Sequence, residues 1–362
     1  MIKTLKVSTT PDEITRNISK AFDYEFSGEI TENIQIPEIP KDFQIGLIVG
    51  SSGSGKSTIL KTLSVMNEVK GGWDPSKSIA SHFDSFEEAS EKFGAVGLNS
   101  IPTWLKPYQV LSTGERFRAD MARCLENDAA IDEYTSTVNR SVAISCSMSI
   151  SKYIRSHHLQ HIIFASCHDD IIPYLEPDWV YDTDKQVFFT GRYLQRPPIK
   201  LEIQRCDKSL WSMFSKYHYL SSKLNPSSTC YTALLDGHPV AFLALLTQPC
   251  GTLKNAWREH RLVVHPDYQG MGIGNKFSES VGQAYIDNGN RYFSKTVNPR
   301  CGEHRDRSSL WKGTSHNHQA RNDYFKPDGS ARLKTRRYSM NDTGLKIHSQ
   351  RVCYCHEYVG DH

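Results

Sequence analysis

A glycine- and serine-rich loop that directly follows an apolar strand constrains the fold of this chain more than any other feature. The loop, GSSGSGKST, spans residues 50–58, and residues 43–49 before it have the composition of a buried strand. Its glycines let the backbone wrap closely around a chain of phosphates, with the amide hydrogens pointing inward. A helix that starts at this loop would direct its positive end at the same anion. The junction therefore predicts a P-loop in an α/β domain with a largely parallel sheet.

The residue types in this loop indicate how a nucleotide would be held. Lys56 is expected to neutralise the β- and γ-phosphates, and Ser57 to hold Mg²⁺. The alternative is a glycine- and serine-rich loop that only looks like the motif. Further strands are expected at residues 161–165, 179–181 and 187–189, the last two as a closing hairpin. The predicted phosphate-binding residues are Gly50, Ser51, Ser52, Gly53, Ser54, Gly55, Lys56, Ser57 and Thr58.

Three later motifs follow the P-loop along the chain. They are LSTGERFRADMARCL at residues 111–125, AAIDE at 129–133 and SCHD at 166–169. Together with the P-loop they resemble, in the same order, the motifs of the ATP-binding cassette (ABC) ATPases, over residues 1–190. The resemblance implies a domain that binds and hydrolyses ATP with Mg²⁺.

The same resemblance implies roles for individual residues. Asp132 would coordinate Mg²⁺ through water, Glu133 would orient the attacking water, and His168 would sense the γ-phosphate. Cassettes of this family pair head to tail, so that the signature residues, here Ser112 and Gly114, close over ATP held by the partner. A chain with one cassette is therefore expected to form a homodimer.

The chain departs from ABC transporters in several places. Only 56 positions separate Lys56 of the P-loop from Ser112 of the signature, which leaves little room for the helical arm that grips a membrane subunit. Asn139 replaces the aspartate that the family has after the AAIDE motif. Either His82 or Asp84 stands where the Q-loop glutamine is expected. Phe22 or Tyr24 would stack on adenine. No run reaches the roughly 18 apolar residues of a membrane span, and the N-terminus lacks a secretory signal. We therefore expect a cytoplasmic protein without a membrane partner.

A second domain is predicted at residues 199–362, after a linker at 191–198 that ends in Pro197 and Pro198. Its glycine-rich segment, QGMGIG at 269–274, follows an apolar strand and precedes an amphipathic helix. The expected elements are strands at residues 200–205, 229–235, 240–246, 261–264 and 291–297, with an aromatic-rich helix at 210–219.

This second part resembles the GNAT family of acyl-CoA-dependent N-acyltransferases. The resemblance implies an α+β domain with a mixed, mostly antiparallel sheet, whose strand at 291–297 splays from the preceding strand to admit the pantetheine arm. The implied cofactor is acetyl-CoA or another acyl-CoA. The residues expected to bind it are Val263, Val264, Gln269, Gly270, Met271, Gly272, Ile273 and Gly274.

The acid–base residues of this domain are harder to place. Glu259 is the predicted general base, with His260 beside it on the other face of the strand; the alternative for Glu259 is an ordinary ion pair. The family's usual acid, a tyrosine in the helix after the fifth strand, has no clear counterpart. His304, Trp311 and Tyr324 are the candidates.

Charge is distributed unevenly between the two parts. Residues 201–362 contain 22 Lys and Arg against 14 Asp and Glu, and residues 291–337 contain 12 against 4, with aromatic residues interleaved. Such a segment suits nucleic acid, the 3′-phosphate of CoA or a solvated surface. The cluster Cys353, Cys355 and His356 could supply metal ligands, but a plain C-terminal strand is the preferred interpretation.

The chain is thus interpreted as an ABC-type ATPase joined to an N-acyltransferase. The first hypothesis for its function is acyl transfer to an amine of a nucleic acid, DNA or RNA. The second is an ATP-regulated acyltransferase that acts on a protein or a small-molecule amine. The third is a nucleic-acid clamp whose GNAT domain only binds.

Overall fold

The computed structural model describes residues 2–63, 72–191, 198–218, 223–248, 253–320 and 352–360. The chain divides into two compact units, residues 1–198 and 199–362. Among the described residues, no helix combines the length and the apolar character that a membrane span requires.

The first unit is built on a five-stranded sheet. Its elements in chain order are β1 (Ile2–Ser8), α1 (Glu13–Phe22), β2 (Glu29–Gln35), β3 (Ile45–Val49), α2 (Lys56–Leu63), α3 (Phe86–Ala95), α4 (Ile101–Trp104), α5 (Thr113–Cys124), β4 (Ala130–Ile131), α6 (Arg140–Ser156), β5 (Ile162–Ser166), α7 (Ile172–Leu175), β6 (Trp179–Asp182) and β7 (Val187–Thr190). The sheet order is β4-β5-β3-β6-β7, while β1 and β2 form a separate antiparallel pair. Only β7 is antiparallel to its neighbour, as expected for a closing hairpin.

Strand β3 forms in the centre of this sheet because every residue of it is apolar or small. All five of its residues are buried, and β5 and β6 flank it in parallel. The carboxyl ends of β3, β4 and β5 therefore lie at one edge of the sheet. That edge is where parallel sheets bind their ligands.

The second unit contains a mixed sheet between two helical layers. Its elements are β8 (Glu202–Arg205), α8 (Trp211–Phe214), β9 (Thr229–Leu235), β10 (His238–Thr247), β11 (Ala256–Val264), α9 (Ile273–Asp287), β12 (Arg291–Thr296), α10 (Pro299–Arg307), β13 (Trp311–Gly313), β14 (Gln319–Ala320) and β15 (Val352–Tyr358). The order is β13-β15-β12-β11-β10-β9-β8, in which only β11 and β12 pair in parallel. The predicted fold classes, a largely parallel mixed sheet followed by a mostly antiparallel one, are confirmed.

The aromatic-rich helix expected at 210–219 is much shorter than predicted. One α-helical turn, α8, is followed by a 3-10 turn at Ser215–Tyr217, and residues 219–222 lie outside the described residues. Trp211 and Phe214 are both buried against the sheet. Because one turn already buries both rings, packing does not require a longer helix, and the intervening serines favour helix formation only weakly.

Candidate functional site

The P-loop of the first unit connects β3 to α2. Gly50, Gly53 and Gly55 have φ values of 152°, 84° and 86°, so the loop uses backbone conformations that glycine adopts readily. The ammonium group of Lys56 donates to the carbonyl oxygens of Gly50 at 2.8 Å and Ser51 at 2.5 Å. The loop is therefore already folded around the ammonium group of Lys56. Phosphate oxygens of a bound nucleotide could replace these carbonyl oxygens.

The turn between β6 and β7 supports the loop from one side. Asp184 accepts hydrogen bonds from the backbone amide and the hydroxyl of Ser51, both at 2.7 Å, and Thr183 Oγ1 lies 2.6 Å from Ser54 Oγ. A Cβ atom at Gly50 would lie 1.9 Å from Thr183 Oγ1, so only glycine fits there. Ser52 and Ser57 are exposed beside these contacts, and Thr58 is half-buried.

A cavity of about 390 Å³ lies against the P-loop. Its walls are formed by the loop itself, by β2 at Asn33–Gln35 and by the β6–β7 hairpin, which includes Tyr181. Neither predicted adenine-stacking residue lines this cavity: Phe22 and Tyr24 are 78% and 68% exposed. The aromatic residue at the cavity is Tyr181, which the sequence motifs did not indicate.

Asp132, Glu133 and His168 lie at the same sheet edge as the P-loop. Asp132 and Glu133 follow β4, and His168 follows β5. Asp132 Oδ1 accepts the amide of Glu133 at 2.8 Å, and Glu133 is exposed. Glu133 and the buried Thr135 have φ values of 50° and 67°. A β-branched residue in this region is strained, and such strain is concentrated at functional sites.

The signature residues stand at the start of α5. Ser112 caps this helix: its hydroxyl accepts the Glu115 amide, and the Glu115 carboxylate accepts the Ser112 amide at 2.9 Å. Gly114 lies in the first turn. The first amides of a helix that its N-cap does not occupy can bind an anion. The role of Ser112 and Gly114 in a partner's ATP site stays a prediction.

Three other predicted residues of this unit have structural contacts. His82 accepts the amide of Asp74 at 2.9 Å and contacts the carbonyl of Ser78, so its ring is held within its own loop. Asn139 caps α6 by accepting the amide of Val142 at 2.9 Å. The backbone amide of Asp84, just before α3, donates to the carboxylate of Glu88 in the first turn of that helix.

In the second unit, a glycine-rich turn links β11 to α9. Gly270 and Gly272 have φ values of 93° and 80°, and a Cβ atom at Gly272 would meet no atom within 4 Å. Gly274 approaches Val264 closely, since its Cβ would lie 3.2 Å from Val264 Cγ2. The side chain of Gln269 closes the turn by donating to the carbonyl of Val264 at 3.0 Å. Ile273 is buried in the core, with Met271 packed against it and Val263 buried on the opposite face.

The turn leaves the first amides of α9 directed outward, because a helix start has no preceding carbonyl groups to accept them. Gly272 is the N-cap residue and has no side chain that could take up these amides. A pyrophosphate is the kind of anion that such a site binds.

Strands β11 and β12 separate shortly after they begin. Their parallel pairing joins Ala256, Trp257 and Arg258 to the first three residues of β12, and no later pair continues it among the described residues. On its other side β11 has a bulge, because Ala244 pairs with Arg261 and Leu245 with Glu259. His260 is thus the extra residue at the position where the gap between the strands opens.

The structure contradicts the prediction of Glu259 as general base. Its side chain is 8% exposed and points into the α9 layer. Its partners there are Ser278 of α9, Tyr292 and Ser294 of β12, and Arg305 of α10. A carboxylate that accepts hydrogen bonds from all of these groups and neutralises a buried guanidinium has a structural role. The ion pair considered as the alternative is the correct interpretation, although it is buried.

His260 lies on the opposite face, near α8. Its Nε2 accepts the amide of Asn225 at 3.4 Å. Burial, followed by the guanidinium groups of Arg261 and Arg258, lowers its pKa to about 4. The pKa of His218, which follows α8, is also lowered to about 4 by burial, Arg261 and His260. This face therefore combines neutral imidazoles with arginine cations.

Helix α10, which follows β12, contains no tyrosine that could serve as the general acid. His304 lies 3.6 Å from Glu279, and the indole of Trp311, which is 6% exposed, donates to the same carboxylate at 3.4 Å. Trp311 is a core residue, so its candidacy as the acid is wrong. Tyr324, together with the rest of the basic segment from 321 to 337, lies outside the described residues.

The cysteine–histidine cluster belongs to a plain strand, as preferred. Cys353 and Cys355 alternate along β15 with His356, so the thiols and the imidazole point to opposite faces. His356 Nε2 donates to the Asp306 carboxylate at 2.8 Å, and His356 is fully buried. No group of three metal-binding side chains occurs in the described part of the chain.

Comparison with known proteins identifies a family for the second unit. Residues 197–296 match the model of the acetyltransferase (GNAT) family. No curated protein matches the chain. The matched residues include both the glycine-rich turn and the gap between β11 and β12.

Solved structures resemble each half of the chain distantly. The ribosomal-protein-S18-alanine N-acetyltransferase from Escherichia coli is 12% identical, with a TM-score of 0.29 over 45% of this chain and 96% of that one. An acetyltransferase from Bacillus subtilis in complex with CoA is 14% identical, with a TM-score of 0.29 over 44% and 98%. A dimeric bacterial ABC transporter cassette is 15% identical, with a TM-score of 0.34 over 50% and 94%. All three TM-scores are too low to carry an argument, so the family match alone bears on function.

Proposed function

Because residues 197–296 form a domain of the GNAT acetyltransferase family, we propose that the second unit transfers the acetyl group of acetyl-CoA to an amine. The observation that carries this proposal is the gap between β11 and β12, since β11 leads into the glycine-rich turn. A pantetheine arm fits such a gap, because β11 beyond Arg258 has no described pairing with β12, and Val263 and Val264 lie on that stretch. The turn from Gln269 to Gly274 would then hold the pyrophosphate.

A direct test is acetyl-CoA binding by Gly272→Ala, measured by calorimetry. Gly272 has a positive φ and open space beside it, so an added methyl group strains the turn and occupies the volume proposed for the cofactor. Gly289→Ala is the matched control, because Gly289 has a φ of 73° and equally open space at the other end of α9. We expect affinity to fall about tenfold or more for Gly272→Ala alone. Equal losses in both variants would contradict the assignment.

The acceptor is proposed to be an amine of a nucleic acid. The α8 face of β11 presents Arg258 and Arg261, whose guanidinium groups lower the pKa of His260, and Arg261 also lowers the pKa of His218. Cationic side chains beside half-buried rings suit a phosphate backbone with a base inserted next to it. A protein or small-molecule amine is the alternative acceptor.

Retention on a single-stranded DNA or RNA oligonucleotide tests this choice. Arg258→Ala should weaken binding and reduce the slope of log affinity against log salt by about 1, because one phosphate contact is lost. Lys276→Ala, which removes one charge from the exposed side of α9, should leave the slope unchanged. Absence of binding by the unmodified protein at low salt would favour the protein or small-molecule acceptor.

The first unit is proposed to bind and hydrolyse ATP. The preformed P-loop around Lys56 and the adjoining cavity support this proposal. Ser57 and Asp132 would hold Mg²⁺, Glu133 would orient the attacking water and His168 would contact the γ-phosphate. In a head-to-tail homodimer, Ser112 and Gly114 of one copy would complete the ATP site of the other, with ATP binding regulating acetyl transfer.

Glu133→Gln tests this second activity. The amide cannot act as a base but preserves the size of the side chain, so turnover should fall by at least about 10²-fold. ATP binding should persist, and dimers should accumulate in sedimentation experiments. Normal hydrolysis by Glu133→Gln would show that another residue orients the water.

A further inference from the structure

We infer that His260, and not Glu259, accepts the proton of the acceptor amine during acetyl transfer. The inference rests on the proposed acetyltransferase function and assigns a catalytic residue to it. Three separate observations support it: the position of His260, the buried ion pair that occupies the Glu259 carboxylate, and the charges that surround the imidazole.

The bulge places His260 at the reaction centre. Pairing between β11 and β12 ends at Arg258, two residues before His260, so the side chain stands where the gap opens. The bulge leaves His260 without a partner on β10. A side chain at such a position is directed by the local kink rather than by sheet pairing, which is how bulges orient residues at active sites.

The hydrogen bond to His260 indicates which nitrogen would act. Because the Asn225 amide donates to Nε2, that nitrogen has the lone pair and Nδ1 has the hydrogen. The distance of 3.4 Å is long for a hydrogen bond, and Asn225 is exposed in the segment that precedes β9. An incoming amine could therefore replace this amide at Nε2.

Glu259 is unable to serve as an alternative base. Arg305, 1% exposed, lies 3.0 Å from its carboxylate, and the hydroxyls of Ser278 and Ser294 donate to it. Removing it from this network would leave a buried guanidinium without a counter-charge. Its position on the α9 face also directs it away from Asn225 and from the arginine-rich face.

The surrounding charges make His260 responsive to an anionic acceptor. Arg261 and Arg258 on β11 oppose protonation of His260, and the nearby His218, after α8, has its own pKa lowered by burial, Arg261 and His260. The low pKa keeps the imidazole neutral at pH 7 in the free protein. Phosphate groups of a bound acceptor would offset the arginine charges, which raises the pKa of His260 towards the range in which general bases work best.

The chemical step balances without any further reactant. The amine nitrogen attacks the thioester carbonyl carbon, a C–N bond forms, and Nε2 of His260 takes up one amine proton. The tetrahedral intermediate then collapses as the C–S bond breaks. The thiolate leaves with the electron pair of that bond and receives the proton from the imidazolium through water, which yields the amide and CoA with a free thiol.

His260→Gln is the principal test, with His238→Gln as the matched control. His238 is exposed at the start of β10 in the same unit and has no part in the proposed site. Thiol release is followed with acetyl-CoA and two probe acceptors, a single-stranded DNA oligonucleotide and spermidine. We expect kcat to fall about 10²- to 10⁴-fold for His260→Gln, with calorimetric acetyl-CoA affinity unchanged. The control should keep the unmodified rate.

The outcomes separate this inference from the proposed function. If the unmodified protein did not bind acetyl-CoA, the proposed function itself would be overturned. Unchanged kcat in His260→Gln, alongside an active unmodified protein, would overturn the role of His260 alone. A second measurement does not depend on turnover: the ¹⁵N shifts of the His260 ring at pH 7 should show an unprotonated Nε2, and a ring protonated at both nitrogens would also overturn the inference.

Discussion

Glu259 and His260 are neighbours in the chain, yet one is part of a buried ion pair and the other faces the arginine-rich side of the sheet. Strand alternation predicts from sequence that the two side chains point to opposite faces. Their chemical roles were not predictable, because the partner of Glu259 is Arg305, 46 residues later on α10. Whether Glu259 could act as a base thus depended on the position of α10, which only the tertiary fold determines.

The Glu259–Arg305 pair makes a specific prediction about stability. Arg305→Met should lower the free energy of unfolding of the second unit by about 3–5 kcal/mol, because it leaves a buried carboxylate without its counter-charge. Combining it with Glu259→Gln should recover part of the loss. Denaturant unfolding followed by tryptophan fluorescence measures both, and a double variant less stable than Arg305→Met would contradict the pairing.

The two histidines with lowered pKa values predict how stability depends on pH. In the unfolded chain a histidine titrates near pH 6.5, whereas His218 and His260 titrate near pH 4 when folded. Between these values the unfolded state binds more protons, so stability is complete above about pH 6.5 and is lost as the pH falls towards 4. The Tm of the second unit should therefore fall over this window. In a His218→Gln, His260→Gln double variant the fall should be smaller, and an unaltered fall would contradict the assigned pKa values.

Strand β3 and its neighbour β6 hold the P-loop through one close contact. The composition of residues 43–49 predicted a buried strand, and the structure has one at Ile45–Val49. A strand at 179–181 was also predicted, but composition does not show that it pairs with β3: Gly46 pairs with Trp179, and a Cβ at Gly46 would lie 2.1 Å from the indole. The separate β1–β2 pair beside the cavity was likewise missed, because its residues are mostly exposed and show no clear apolar pattern.

Gly46→Ala tests whether this strand contact positions the loop. Trp179 is fully buried against Phe43 and Phe188, so it cannot move aside for a methyl group. Overpacking should cost the first unit about 1–3 kcal/mol and weaken ATP binding by displacing β3. Replacing the indole as well, in Gly46→Ala with Trp179→Leu, should relieve the clash. If the single variant unfolds at the same denaturant concentration as the unmodified protein, the packing described here is wrong.

Each compact unit has its own hydrophobic core, which predicts how ligands act on the full chain. The cores centred on Ile45 and Ile48 lie within residues 1–198, and those centred on Phe277 and Phe242 lie within 199–362. A ligand stabilises the state that binds it, by about 2.7 kcal/mol at a hundredfold excess over Kd.

In calorimetric scans we therefore expect two transitions, one whose Tm is raised by ATP with Mg²⁺ and one whose Tm is raised by acetyl-CoA. Lys56→Ala should abolish the first shift only, and Gly272→Ala should reduce the second only. If either ligand raised both transitions equally, the two units would unfold as one cooperative system and the assignment of one ligand to each core would fail.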